Sequence, residues 1–172
     1  MREMSLEIRT GRLTIQPFQP KFLKDYYREF TEEITKYQYP DPFPDLEAAS
    51  QTLSGFCQAM EAGDMLELVI LSREGEFLGS VEVFGLQEEA PELGIWLKSA
   101  AQGAGYGYEA LRAVLDYLNG LNKYRHYIYE ADVRNAPSLG LAEKFRSEAG
   151  ERQDLTTESG KELVLQVYRI FA

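Results

Sequence analysis

A single α/β (mixed α+β) domain, with one central mixed sheet of six to seven strands and helices on both faces, is the fold class this sequence predicts. Three observations point there. Runs with apolar residues at every second position alternate with stretches of helical spacing, in the order β-α-α-β-β-β-α-β-α-β with room for one more strand. The length suits one domain, residues 1–172, with a sizeable core. Between Leu93 and Leu111 a strand pattern runs through a glycine-rich turn directly into a helix pattern, and the rest of the chain is organised around that junction.

Arg12 to Phe18 opens the sheet, with Leu13 and Ile15 on one face and Pro17 closing the strand. Pro20 to Phe30 is a short amphipathic helix carrying Phe22, Leu23, Tyr26, Tyr27 and Phe30. Thr31 to Asp45 is expected to be a stiff, non-helical loop, because Tyr37, Tyr39, Pro40, Pro42, Phe43 and Pro44 fill it with proline rings and large side chains. Asp45 can cap a helix to about Ala62, with Leu53, Phe56, Cys57 and Met60 inward. Three strands follow, Met65 to Ser72, Phe77 to Leu86 and Glu92 to Lys98, the first two joined by the turn Arg73-Glu74-Gly75-Glu76. The helix after the glycine turn buries Ala110, Leu111, Val114, Leu115 and Leu118 and ends at Asn119-Gly120. His126 to Val133 is a strand, and Pro137 begins a helix to about Arg146. Glu162 to Phe171, entered through Ser159-Gly160, closes the sheet. Tyr117 and Tyr124 are expected on the surface, as hints of a homodimer interface.

Hydrophobic content of 44% and charged content of 27% place the chain among soluble globular proteins. Its start, Met1-Arg2-Glu3-Met4-Ser5, lacks the apolar segment of a signal peptide, and no run approaches membrane-spanning length. A formal charge of −10 argues against a nucleic-acid-binding face and against docking on an anionic membrane. It favours cationic partners such as amines or basic peptides. Cys57 is the only cysteine, so no intrachain disulfide can form, and with one histidine there is no Cys/His metal cluster. The expectation is a cytoplasmic protein that holds no metal.

The junction at Leu93–Leu111 carries the chemistry. Leu93, Ile95 and Leu97 alternate as in a strand; Gly103, Gly105 and Gly107 follow, and glycine there allows positive φ and close approach of a partner. A turn of this kind at a helix start presents free N–H groups and a partial positive charge, which suits a phosphate or pyrophosphate. No Lys-Ser/Thr pair follows the glycines, which removes the P-loop, and Tyr108 stands where a dinucleotide fingerprint needs its third glycine.

Gln102-x-x-Gly105-x-Gly107 resembles the Q/R-x-x-G-x-G/A motif of the GNAT N-acetyltransferases. Asn135-Ala136-Pro137-Ser138 with Ala142-Glu143-Lys144 is similar to the N-x-x-S…EK segment of the ribosomal-protein alanine acetyltransferase (RimJ/RimL-like) branch, and Arg12-Leu13-Thr14-Ile15 resembles its opening strand. Two positions depart from the pattern: Arg146 and Ser147 stand where relatives carry Gly-Phe. The resemblance implies a GNAT-like fold with a splayed strand pair, and acetyl-CoA as co-substrate. It implies pyrophosphate binding by Gln102, Gly103, Ala104, Gly105, Tyr106 and Gly107, and pantetheine binding along Ile95, Trp96 and Leu97. By the same resemblance Asn135 holds a pantetheine amide, Lys144 meets the adenosine end, and Ser138 protonates the leaving thiolate. The 31–45 loop would wall the acceptor pocket, with Tyr37, Tyr39, Phe43 and Trp96 as its lining.

Acetyl transfer to an amine also requires that the ammonium lose a proton. At neutral pH this costs roughly 4–5 kcal/mol for a lysine-type amine but only about 1–1.4 kcal/mol for a protein N-terminus. A modest base therefore suffices for the second, and Glu92, on the strand face opposite Leu93 and Ile95, is the candidate; Glu82 and Glu67 are weaker ones. The leading expectation is transfer to a primary amine, a protein N-terminus above all. The alternatives are a small amine such as a polyamine, aminoglycoside or amino acid, for which Glu32, Glu33, Asp41 and Asp45 speak, or a non-catalytic acyl-CoA-binding module.

Overall fold

The computed structural model describes residues 5–172, built around an eight-stranded sheet. In chain order the elements are β1 (Ile8–Arg9), β2 (Leu13–Pro17), α1 (Leu23–Glu29), α2 (Glu32–Thr35), α3 (Leu46–Glu61), β3 (Met65–Ser72), β4 (Phe77–Phe84) and β5 (Glu92–Leu97). Then come α4 (Tyr106–Gly120), β6 (His126–Asp132), α5 (Ala136–Glu143), β7 (Ser147–Thr156) and β8 (Glu162–Phe171). The spatial order is β1-β2-β3-β4-β5-β6-β8-β7, antiparallel at every step except β5–β6.

Alternation along the strands sorts the side chains into two cores. Leu66, Leu68, Ile70, Val81, Val83 and Leu93 face α4, whose Ala110, Leu111, Val114 and Leu118 are wholly buried against them. Val69, Leu71 and Trp96 point the other way, to Tyr26 and Phe30 around α1 and Leu53 of α3. Because both faces are covered, β3 is buried from Met65 to Leu71 and loses the polar half of its alternation. Asp45 caps α3 as expected, accepting the Ala48 N–H at 2.8 Å.

The sequence expectations need correction in three places. Residues 32–35 form a turn of helix inside the predicted loop, because Thr31 caps the Ile34 N–H and Glu32 and Glu33 favour the helix start. The sheet has eight strands rather than six or seven, β1 and β7 being the additions. β7 is almost entirely exposed and polar, so no apolar period announces it; its pairing with β8 makes it a strand. Helix α4 ends at Gly120 as expected, and the chain reverses two residues on, at Asn122 with φ +56°. Tyr124 is no surface tyrosine: it is buried, and its hydroxyl donates to the Leu86 carbonyl at 2.7 Å. Tyr117 is half-buried against the same core, so the two make no exposed patch.

Candidate active site

Strands β5 and β6 run side by side only at Glu92–Ile128 and Leu93–Tyr129, and then part. The Lys98 N–H donates to the Leu78 carbonyl, so even-numbered residues of β5 turn their backbone to β4 and odd-numbered ones turn away from it. The N–H and C=O of Ile95 and the N–H of Leu97 thus face the gap, beyond the last paired residue of β6. An extended chain bearing amides can lie there as a surrogate strand.

The glycine turn follows at once. Gly103 and Gly105 have φ of +82° and +83°, a region closed to most side chains, whereas a Cβ at Gly107 would make only ordinary contacts of 3.8 Å. The first backbone bond into α4 runs from Glu109 N–H to Gly105 C=O. The N–H groups of Tyr106, Gly107 and Tyr108 are therefore left over, with the positive end of a fifteen-residue helix behind them. Gln102 does not face this concavity: its Nε2 donates to the Leu97 carbonyl at 3.1 Å and fixes the bend where β5 ends.

Arg12 holds the turn from outside. Its Nη1 donates to the Ala104 carbonyl at 2.9 Å, its Nε to Glu109 at 2.7 Å, and its guanidinium stacks 4.3 Å from the Tyr106 ring. Lys144 lies 5.7 Å from the Tyr108 ring, beside the helix start. A diphosphate needs donors and an amide-bearing arm needs a free strand edge. Both are present, and the residues fit acetyl-CoA.

The other end of the gap opens into a cavity of about 600 Å³. Tyr37, Tyr39, Phe43 and Trp96 line it, as do Ile95, Asn135, Ser138 and Glu92. The chain thus brings the expected acceptor and catalytic residues together, while Gln102 to Gly107 and Lys144 stand apart at the helix start. Tyr39 is 61% exposed and forms the rim; Trp96 is buried beside Tyr26 and Phe30. Asn135 spends its side-chain oxygen as cap of α5, accepting the Ser138 N–H at 3.3 Å. The Ser138 carbonyl accepts the Tyr129 hydroxyl at 3.1 Å, and no hydrogen bond engages the Ser138 hydroxyl among the described residues.

The charge of the cavity is one-sided. Glu82, Glu92, Glu130 and Asp132 line it, with no lysine or arginine among the described residues. Asp132 is buried and neutralised by Arg134 at 2.8 and 3.0 Å. Burial, then the charge of Glu92 and a hydrogen bond shared with it, push the Glu130 carboxyl up to about 7. Of the acids expected to receive a small amine, three are engaged elsewhere. Asp45 caps α3, and Glu33 accepts the Ser99 hydroxyl at 3.3 Å. Asp41 binds the β7–β8 turn through Thr157, Ser159 and Lys161. Desolvation opposes the ionisation of Asp41, but the bonds from Ser159, Thr157 and Lys161 outweigh it and bring the carboxyl down to about 2.

The sequence reading missed Glu130, Tyr26 and Gly94 as cavity residues. The alternation Ile128, Glu130, Asp132 was a usable signal, since it places both acids on the face that Glu92 shares through its pairing with Ile128.

Residues 12–147 match the family described as Acetyltransferase (GNAT) domain. The chain belongs to the GNAT acetyltransferase family. Solved structures agree on the fold. A ribosomal-protein-serine acetyltransferase homologue from Vibrio cholerae superposes with a TM-score of 0.82 at 17% identity, covering 98% of each chain. The spermidine N-acetyltransferase from Vibrio cholerae, in complex with CoA and spermine, gives 0.80 at 14% identity over 94% of this chain and 97% of its own. The Salmonella typhimurium acetyltransferase that modifies the N-terminal serine of ribosomal protein L7/L12 gives 0.79 at 16% identity over 97% and 100%. By sequence, no curated protein matches the chain. The family assignment makes the protein a GNAT acetyltransferase.

Proposed function

We propose that this GNAT protein transfers the acetyl group of acetyl-CoA to a primary amine, by direct attack of the amine on the thioester. One observation carries the reading: the free edge of β5 leads from an anion-receiving helix start into a cavity lined by carboxylates and aromatics with no basic residue. The diphosphate lies on the N–H groups of residues 103–108, and the pantetheine arm pairs with Ile95 and Leu97. This aims the acetyl carbon at the cavity, with the amides near Ile95 as donors to the carbonyl oxygen. Lys144 sits beside the adenosine end, and the free Ser138 hydroxyl is placed to protonate the departing thiolate. Glu92 and Glu130 stand where the strands begin to part, draw the ammonium in and carry its proton to water.

The acceptor is a protein N-terminus, whose amine gives up a proton at least cost. A small di- or polyamine is the second reading, because the unneutralised Glu82, Glu92 and Glu130 can hold a further cation. The reaction belongs to the cytoplasm, where the donor and a reduced Cys57 coexist. The test is thiol release from acetyl-CoA against a panel of free-N-terminus peptides, polyamines, aminoglycosides and amino acids. Turnover with any member is the expected result. Background hydrolysis throughout, with acetyl-CoA still bound in calorimetry, would leave a binding module instead.

A further inference from the structure

A second pair of carboxyls lies deeper than Glu92 and Glu130. Glu67 of β3 and Glu82 of β4 are directly opposed across the two strands. Both are served by the same two hydroxyls. Ser80 Oγ lies 2.6 Å from Glu67 Oε1 and 2.8 Å from Glu82 Oε1; Tyr26 Oη lies 3.0 and 3.2 Å from the same atoms. Trp96 Nε1 in turn donates to Tyr26 Oη at 3.5 Å. Glu67 is wholly buried, and its Oε2 has no hydrogen-bond partner among the described residues.

Two hydroxyl protons cannot stabilise two buried negative charges, so the pair keeps one proton between them. Desolvation, then the charge of Glu82, drives the Glu67 carboxyl far up; desolvation also raises Glu82, less steeply. The pair as a whole therefore carries one proton and one negative charge. A buried ionised acid whose neighbour is a neutral acid is poised to take up a second proton.

Gly94 decides which of the two meets the cavity. It lies inside β5, paired with Glu82, and its φ is not in the left-handed region, so the backbone does not require glycine there. A glycine within a strand weakens it and marks close approach by something else. A Cβ at this position would come within 3.2 Å of Glu82 Oε2. The missing side chain leaves a gap through which that oxygen reaches the cleft, one residue from the free edge at Ile95.

We propose that Glu82, opened to the cleft by the gap at Gly94 and backed by Glu67, is the catalytic residue that takes the proton from the incoming ammonium. This rests on the acetyl-transfer reading above. In the step, an ammonium N–H bond breaks and the Glu82 O–H forms; the freed lone pair attacks the thioester carbon. As the C–S bond breaks, the thiolate receives the second amine proton, directly or through Ser138. Glu82 then passes its proton to Glu92 and Glu130 and so to water. Glu67, Ser80 and Tyr26 are positioning residues. The titratable groups around the pair are Tyr26 from α1, Cys57 from α3 on the side of Glu67, and Glu92 from β5 and Glu130 and Asp132 from β6 on the side of Glu82.

The experiment follows kcat/KM against pH, using the panel acceptor that the wild type turns over fastest, with the acetyl-CoA Kd measured alongside. Glu82→Gln is expected to lower kcat roughly 100-fold or more and to remove the acid limb, with the acetyl-CoA Kd unchanged. Glu67→Gln removes the acid that competes for the shared proton and lends Glu82 a hydrogen bond, so Glu82 protonates more readily and the acid limb moves to higher pH. Gly94→Ala covers the oxygen without replacing a titrating group and is expected to cut kcat about tenfold while the thermal midpoint holds. Infrared spectra near pH 7 should show a protonated buried carboxyl band that Glu67→Gln abolishes. Wild-type kcat/KM with an intact acid limb in Glu82→Gln, or no such band in the wild type, would overturn the assignment. An inactive wild type across the panel would instead sink the acetyl-transfer reading, and this inference with it.

Discussion

The two halves of the cleft are built from different materials. The half proposed to receive the acyl donor is main chain: the edge of β5, two glycines at positive φ and the first turn of α4. The half proposed to receive the amine is side chain: an aromatic loop, a row of carboxyls on β4, β5 and β6, and the Tyr26–Trp96 cluster. Main chain suits a partner that never changes, because its donors are fixed by the fold. Side chains suit a partner that differs among relatives, because each can be exchanged without disturbing the sheet. Their polarity is opposed as well, with a positive helix end on one side and unneutralised carboxylates on the other.

The comparison is tested most severely at the turn. Gly105→Glu sets a like charge against the diphosphate, about 1.4 kcal/mol, so acetyl-CoA should bind roughly tenfold more weakly by calorimetry. The left-handed strain at φ +83° is carried by the free protein too, and shows as a lower thermal midpoint. Undiminished binding would break the division between the halves. The converse variant, Glu92→Gln with Glu130→Gln, should lower kcat/KM for the amine about tenfold through KM and leave acetyl-CoA binding alone. Tyr37→Ala removes a cavity wall and the stacking of Arg134, 4.7 Å from its ring, and should raise the acceptor KM about threefold.

The smallest effects are in stability against pH. Glu130 is held above its unfolded value of 4.5, at about 7, so its contribution is complete below 4.5 and is lost as pH rises through 7. Glu130→Gln should flatten the decline of the thermal midpoint across that window. Asp41 is held below 3.8, at about 2, so Asp41→Asn should destabilise at neutral pH and cease to matter as pH falls through 2.

The division also explains what the sequence disclosed. The turn was legible because it is written in backbone requirements: Gly103 and Gly105 adopt the positive φ that their residue type allows. The cap at Asp45 and the inner face of α4 were legible for the same reason, being local. The acceptor half depends on which strands become neighbours. Glu92 meets Glu130 only because β5 and β6 run parallel, and Glu67 meets Glu82 only through the β3–β4 register. No local pattern states either. Strand β7 was invisible because an exposed outer strand needs no apolar period, and Gln102 was misplaced because the motif does not say which way its amide turns.

The attachment of Asp41 to Thr157, Ser159 and Lys161, with Lys161 also reaching the Thr35 carbonyl at 2.6 Å, joins segments more than a hundred positions apart. The wall proposed to select the acceptor is thereby clamped by the tip of the last hairpin, whose two strands lie at the far border of the sheet. Chimeras that exchange residues 31–45 between relatives without exchanging 157–161 will carry a mismatched clasp and a slack wall. Selectivity for the amine is a property of the two segments jointly, and redesign has to move them as a pair.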